Sequence, residues 1–525
     1  MKNGKKGLSA ALALLVVVGT GACSGGGGET SEGGRSTETQ SAAPAATTTL
    51  YNELDEQVDY NDLAAIDEID ASNEEGTGPL YVAGQKAGTV KGLCYYDFSA
   101  ETPELSQLLA ERYGGVLETE ITSSGSAYFE RLNMRIAAGD SPDLVRYDWE
   151  AYPWGTFKNM YTALDEWLDI DSPLWEGEKE VIEQFSFLGK HYYFPQDIMP
   201  NFSIIYNRVS LDELGLPDPM DLYDRGEWDW DAFESMIRQW VEQGDDYIGM
   251  TGGQWTALMF VNTTGAKVMD IQGNEFVNNM KDLNVQRAMD WVSELKRQDL
   301  LGDGYVDPGE AFIDGKLLFL SMGWEWGFTE AQNSLFKKNL DYDFAFVPFP
   351  KDPQADKYYH AADSYGYMVP AGAKNVQGAV QYILCSRIYA TDPEIIAADR
   401  AEKMSTDPVY YPKCPNCKYS FTEHDQDDLT ICPECDTPRR EKFKEYYSER
   451  QLDVLDDMKD PDKFELVYDA SFGLGEDFSK IFINSQEESL YDGPIWYGSS
   501  YTQLRDTYYN TIEAYLQPYR DALAG

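Results

Sequence analysis

Four of the seven cysteines in this 525-residue chain fall in two Cys-x-x-Cys pairs, Cys414-Pro-Asn-Cys417 and Cys432-Pro-Glu-Cys435, fourteen residues apart. Each pair turns tightly enough to aim two sulfurs at one point. Four thiolates about 2.3 Å from a zinc ion complete a tetrahedral shell with no open position, so the chemistry implied is structural rather than catalytic. His424 lies between the pairs as a reserve ligand. The alternative is two disulfides, which a compartment outside the membrane permits. A second group of residues sets rings beside acids: Tyr95-Tyr96-Asp97, Tyr147-Asp148-Trp149-Glu150 and Trp324-Glu325-Trp326. Flat rings suit the C–H faces of sugars, and carboxylates pair with hydroxyls. Trp255, behind two glycines, and Tyr365 are the fourth and fifth candidates. The alternative for any of these rings is core packing. Trp167, Trp230, Trp240 and Trp291 lie in helical patterns and are expected in the core.

The elements that position these residues alternate in type. Val90–Tyr96 reads as a strand. Thr102-Pro103 reads as an N-cap with proline at the first helical position, and Gly114 as the stop of that helix. Val116–Ile121 reads as the next strand, which makes a βαβ unit and favours parallel pairing. Phe129, Leu132 and Ile136 share one face of a second helix ending at Gly139, and Asp143–Val145 enters a third strand. Further helical periodicity follows Trp228-Asp-Trp230, runs near Val285–Leu295, and covers Tyr501–Leu523. The class is α/β, and a body of this length is expected to form two lobes with a cleft between them. The ring-and-acid clusters follow predicted strands, where open α/β sheets hold ligands.

Acids outnumber bases 91 to 42, for a formal charge of −49. That balance excludes the basic footprint a nucleic-acid partner needs. Lys2, Lys5 and Lys6 precede an apolar run from Leu8 to Val18, and small residues then lead to Cys23. The run has signal-peptide length and is too short to span a bilayer. This start resembles a lipoprotein signal, which implies that residues 1–22 are removed and Cys23 is lipidated. Thr20 stands where such signals usually carry leucine. Residues 24–49 are Gly, Ser, Thr, Ala and Glu with almost no large apolar side chain, and cannot order themselves by burial. Residues 23–85 are therefore expected to form a flexible acidic tether with a reach of about 45 Å.

Four ordered segments resemble the family 1 extracellular solute-binding proteins of ABC importers, the group that includes maltose-binding protein. They are Leu132–Val145 with its Gly139-Asp-Ser-Pro turn; Leu164–Leu168 followed by Gly189–Pro195 and Ile205–Asn207; Phe312–Lys316 leading to Met322–Trp324; and Phe346–Pro350 followed by Tyr365–Pro370. The resemblance implies a two-lobed periplasmic-binding-protein-like fold with a hinge near Pro195–Tyr206. It also implies sugar contact at the three ring-and-acid clusters. The implied function is capture of a carbohydrate, expected to be an oligosaccharide, and its delivery to permease subunits of an ABC transporter. The implied location is the extracellular face of a bacterial cell membrane, held by a lipid anchor.

The expected division is 86–200 with 343–400 for the first lobe and 201–342 with 441–525 for the second. The cysteine pairs resemble a zinc ribbon, inserted at 407–440 and flanked by Pro408, Pro412 and Pro438. Lys418 and Asp436 stand where such knuckles usually carry glycine. Cys94 and Cys385 are expected to be buried thiols, with a bridge between them left open. The chain carries no nucleophile elbow, phosphate loop, metalloprotease helix or dinucleotide fingerprint, and it is read as a non-enzyme. Two alternatives remain at this level: a surface glycoside hydrolase, which needs two facing carboxyls, and an interaction protein built around the zinc-ribbon-like element.

Overall fold

A computed structural model describes residues 78–98, 102–272, 275–405, 409–410, 414, 416–419, 430–439, 441–442 and 446–524. The expected signal peptide, Cys23, most of the expected tether and His424 lie outside the described residues, as does the side chain of Trp324.

Two sheets organise the body. The first runs in the order Phe464–Val467, Tyr358–Met368, Leu144–Arg146, Gly88–Cys94, Gly115–Ile121, and Phe194–Pro200 also pairs with Tyr358–Met368. The βαβ expectation holds here. Gly88–Cys94 and Gly115–Ile121 are parallel in continuous register, and the helix Pro103–Tyr113 joins them. That helix carries proline in its first turn and stops at Gly114 in the left-handed region, φ 59°, where a Cβ would be strained. The second sheet runs Phe344–Val347, Phe202–Asn207, Leu317–Gly323, Ile248–Gly252. Helices cover both sheets, which makes the class α/β.

One apolar cluster lies within the first lobe, and a larger one runs through both. In the first, the helix Val376–Thr391 is buried on every face from Gln377 to Ile388. A helix apolar all round belongs inside, and this one packs against Val90, Leu105, Leu109 and Phe194. In the second, the helix Trp230–Val241 starts where the Asp229 side chain accepts from Ala232 N–H. Trp230 and Trp240 are buried. Trp291 is half-buried and stacks on Trp230 with centroids 4.3 Å apart. Trp167 is also half-buried. No helix among the described residues is long and apolar enough to cross a membrane.

The chain passes between the sheets at Asn201, which joins Phe194–Pro200 to Phe202–Asn207. It passes again between Phe344–Val347 and Tyr358–Met368. After Phe464–Val467 it leaves the first sheet for the C-terminal helices, where Tyr501 donates to the Met280 carbonyl. Strand pairing differs from the expected division in two places. Phe344–Val347, expected in the first lobe, pairs with Phe202–Asn207 of the second sheet. Phe464–Val467, expected in the second, pairs parallel with Tyr358–Met368 of the first. Each strand goes where an edge needs a partner for its backbone groups.

The last part of the expected tether is held against the body. Gly78 N–H donates to the Trp167 carbonyl and Leu80 N–H to that of Glu166. Val82 N–H donates to Gln377 Oε1. Cys94 and Cys385 are free thiols, both buried. Burial raises the pKa of the Cys94 thiol to about 11.

Candidate functional site

A cavity of about 210 Å³ lies where the sheets meet. From the first sheet, Tyr147, Trp149 and Tyr152 reach it just past Leu144–Arg146, and Asp363 and Ser364 reach it from Tyr358–Met368. Tyr468 and Asp469 enter just past Phe464–Val467, Asn201 from the crossing, and Trp255 from beyond Ile248–Gly252 of the second sheet. Asp148 caps the turn Trp149–Ala151 by accepting from Trp149 N–H at 2.8 Å, which fixes how Trp149 leaves the strand. Trp149 and Trp255 meet across the cavity with centroids 6.4 Å apart. Gly473 completes the wall; a Cβ there would stand 1.7 Å from the Tyr152 carbonyl oxygen.

Of the ten residues singled out for ligand contact, Tyr147, Trp149 and Trp255 line this cavity. Tyr95 and Tyr365 form the layer beneath it. They and Tyr96 surround the guanidinium of Arg146, which lies 5.6 Å from the Tyr95 ring, 5.6 Å from that of Tyr96 and 4.7 Å from that of Tyr365. Three rings around one cation stabilise it without a counter-ion in contact. Arg146 also donates to the Tyr95 hydroxyl, and Tyr96 and Tyr365 share a hydroxyl hydrogen bond of 2.6 Å. Asp148 sits beside this cage. Burial raises its pKa to about 6, with Arg146 and Trp149 N–H pulling it back.

Asp97 is half-buried and does not line the cavity. Glu325 and Trp326 are exposed at the start of the helix Trp324–Lys338 and lie outside the cavity lining. Gly323, just before them, pairs with Phe202, the neighbour of Asn201. They therefore stand at the same end of the second sheet as the cavity, on its outer side.

Sequence reasoning missed Tyr152, Gln184, Asn201, Asp363, Ser364, Tyr468 and Asp469. Both oxygens of Asp469 are occupied by backbone N–H groups, those of Val268, Met269 and Ser471. Asp363 accepts from Ser364 N–H at 2.8 Å. Water reaches its carboxylate, but the walls on either side of the cleft desolvate it and push its pKa up.

The four paired cysteines converge. Their sulfurs all lie within 4.8 Å of one another. Cys414 and Cys435 are 3.6 Å apart, and Cys417 and Cys432 are 3.5 Å apart. Sulfurs in tetrahedral zinc geometry at about 2.3 Å are separated by about 3.8 Å, whereas a disulfide needs about 2.05 Å. Both close contacts run between knuckles and not within them. The knuckles repeat one pattern. Lys418 N–H donates to the Cys414 carbonyl and Asp436 N–H to that of Cys432, while Cys414 N–H reaches Tyr419 O and Cys432 N–H reaches Thr437 O. Lys418 (φ 63°) and Asp436 (φ 51°) take the left-handed conformation. The backbone adopts the glycine-type turn even though the side chains are not glycine. The donor set and its spacing fit a tetrahedral metal.

Two α/β lobes joined by crossing strands, with a ring-lined cavity at the crossing, define a two-lobed binding protein. The chain belongs to the bacterial extracellular solute-binding protein family, whose model matches residues 100–385. Solved structures share the fold at low identity. UgpB from Mycobacterium tuberculosis, in complex with glycerophosphocholine, is 16% identical with a TM-score of 0.54, over 82% of this chain and 99% of that one. An ABC substrate-binding protein from Listeria monocytogenes, in complex with cycloalternan, is 14% identical with a TM-score of 0.52, over 81% and 98%. An ABC-transporter-associated binding protein from B. animalis subsp. lactis, in complex with beta-1,6-galactobiose, is 14% identical with a TM-score of 0.50, over 80% and 96%. No curated protein sequence matches the chain.

Proposed function

We propose that this chain is a lipid-anchored extracellular protein that captures an oligosaccharide between its lobes and delivers it to the permease of an ABC transporter. The observation that carries the reading is the Trp149–Trp255 pair, one ring from each lobe, meeting over a cavity whose polar groups are carboxylates, amides and hydroxyls. That lining matches a molecule with flat C–H faces and a rim of hydroxyls. In this reading the lobes part about the crossings near Asn201 to admit the ligand, and capture is their closure. Tyr95, Asp97, Asp148 and Tyr365 act in this reading as supports beneath the cleft, and Trp324, Glu325 and Trp326 as an outer rim. Cys414, Cys417, Cys432 and Cys435 hold a structural zinc ion. Cys23 carries the lipid.

A thermal-shift screen against gluco-, galacto-, manno- and xylo-oligosaccharides tests the capture. A ligand at about 100 times its dissociation constant adds about 2.7 kcal/mol to the folded state. One sugar class is expected to raise the midpoint and to be recovered intact. No shift, or recovery of cleaved sugar, overturns the reading.

A further inference from the structure

We propose that Asp363 makes this cleft selective for neutral sugars that donate hydroxyl hydrogen bonds and closes it to sugars that carry a carboxylate. The inference rests on the reading of the cleft as a sugar site and specifies its ligand.

The charges that line the cavity are Asp363 and Asp469; no lysine, arginine or histidine is among its lining residues. Asp469 has both oxygens engaged by backbone N–H groups. Asp363 is different. One of its oxygens accepts from Ser364 N–H, and the other has no hydrogen-bond or ion-pair partner among the described residues. That oxygen is an acceptor facing a space where a ligand would sit. Gln184 adds a second acceptor, because its Nε2 already donates to the Tyr468 carbonyl. The Tyr468 hydroxyl is buried with no partner among the described residues, so it can answer a ligand hydroxyl in either sense.

Among the described residues, the cation that acts on Asp363 is Arg146, and its guanidinium lies outside the cavity lining. Its guanidinium is held among the rings of Tyr95, Tyr96 and Tyr365, its N–H goes to the Tyr95 hydroxyl, and its Nε is buried without a partner. It lies behind the wall and not in it. It offsets part of the negative charge of Asp148 and Asp363 at a distance but presents no donor to the cavity. A neutral pyranose supplies the hydroxyl hydrogens that Asp363 and Gln184 lack. A uronate replaces a donor by a second carboxylate, which meets Asp363 with no cation between them. Like charges in a partly desolvated site disfavour each other strongly enough for a discrimination of about 100-fold.

The test is calorimetric titration of the full chain with neutral oligosaccharides and their uronate counterparts, galacto-oligosaccharide against oligogalacturonate and manno-oligosaccharide against oligomannuronate. The wild type is expected to bind the neutral member of the matching pair at least about 100-fold more tightly. Asp363→Asn keeps an oxygen for Ser364 N–H and removes the charge; it is expected to melt at the same temperature and to cut the ratio below about tenfold. If Asp363→Asn binds neither sugar, Asp363→Glu is measured, and restored discrimination supports the proposal. Uronate binding within tenfold of neutral binding in the wild type, or an unchanged ratio in Asp363→Asn, overturns it while leaving the sugar reading intact. Absence of binding to every sugar overturns the sugar reading, and this proposal with it.

Discussion

Trp149 and Trp255 stand 106 positions apart in the chain and ride on different sheets, yet their rings meet at 6.4 Å with planes 67° apart. In the proposed reading, a pair that spans the lobes would contribute to ligand affinity and to closure together. Trp149→Ala and Trp255→Ala are each expected to weaken ligand binding by about 30-fold, the cost of a central aromatic anchor of about 2 kcal/mol. Titration calorimetry of the single and double variants checks this. Affinity within twofold of wild type in both single variants would sink the role.

Glu178 and Arg387 form a buried ion pair at 3.0 Å, with side chains 8% and 7% exposed. Arg387 also donates to the Leu174 and Gln196 carbonyls, so it ties three segments of the first lobe together. Burial pushes the Glu178 carboxyl up to about 7 despite the cation. Arg387→Met leaves that carboxylate buried alone and is expected to cost about 3–5 kcal/mol at pH 8. The loss shrinks at pH 5, where Glu178 takes up a proton. Urea denaturation at the two pH values checks the sign, and an equal loss at both rules out the mechanism.

His360 sits at a crossing between the lobes, fully buried. Its Nδ1 donates to the Ala361 carbonyl at 2.7 Å, and its Nε2 has no partner. Burial lowers its pKa to about 4. The native state therefore binds fewer protons than the unfolded chain between pH 4 and about 6.5, so this residue's contribution to stability falls as pH falls through that window. The decline amounts to about 3 kcal/mol by pH 4. Comparing wild type with His360→Gln by denaturation from pH 7 to pH 4 isolates it. A stability difference that does not change with pH would show the ring to be unaffected by its burial.

The Cys414–Cys435 and Cys417–Cys432 separations predict one zinc ion per chain by elemental analysis. Cys414→Ser or Cys432→Ser is expected to lose the metal, because either leaves three thiolates in a shell that needs four ligands. A chelator is expected to expose four thiols to alkylation. Metal-free protein with a mass lower by four hydrogens would instead show two disulfides.

The sequence carried much of the fold because local chemistry decided it. Pro103 and Gly114 bracket their helix, Asp229 caps another, and the strands either side of Pro103–Tyr113 pair in parallel as the βαβ spacing requires. The site was only partly legible. Tyr147 and Trp149 could be found because they follow a strand closely, and Trp255 because the glycines before it let a ring approach a cleft. Asp363, Tyr468 and Asp469 could not, because their proximity depends on a long-range pairing. Ala361 registers with Val467 across parallel strands, so the residues just past each emerge side by side. Among 91 acids nothing local distinguishes those two. Tyr95 and Tyr365 were at the right strand ends but turn to Arg146, and nothing in the residue pattern marks Arg146 as a cation in need of a cage.

The bonds from residues 78–85 to Glu166, Trp167 and Gln377 all land on the first lobe. Were the N-terminal side anchored as proposed, mechanical load would enter through that lobe, which would then be the stationary half while the second swings about the crossings.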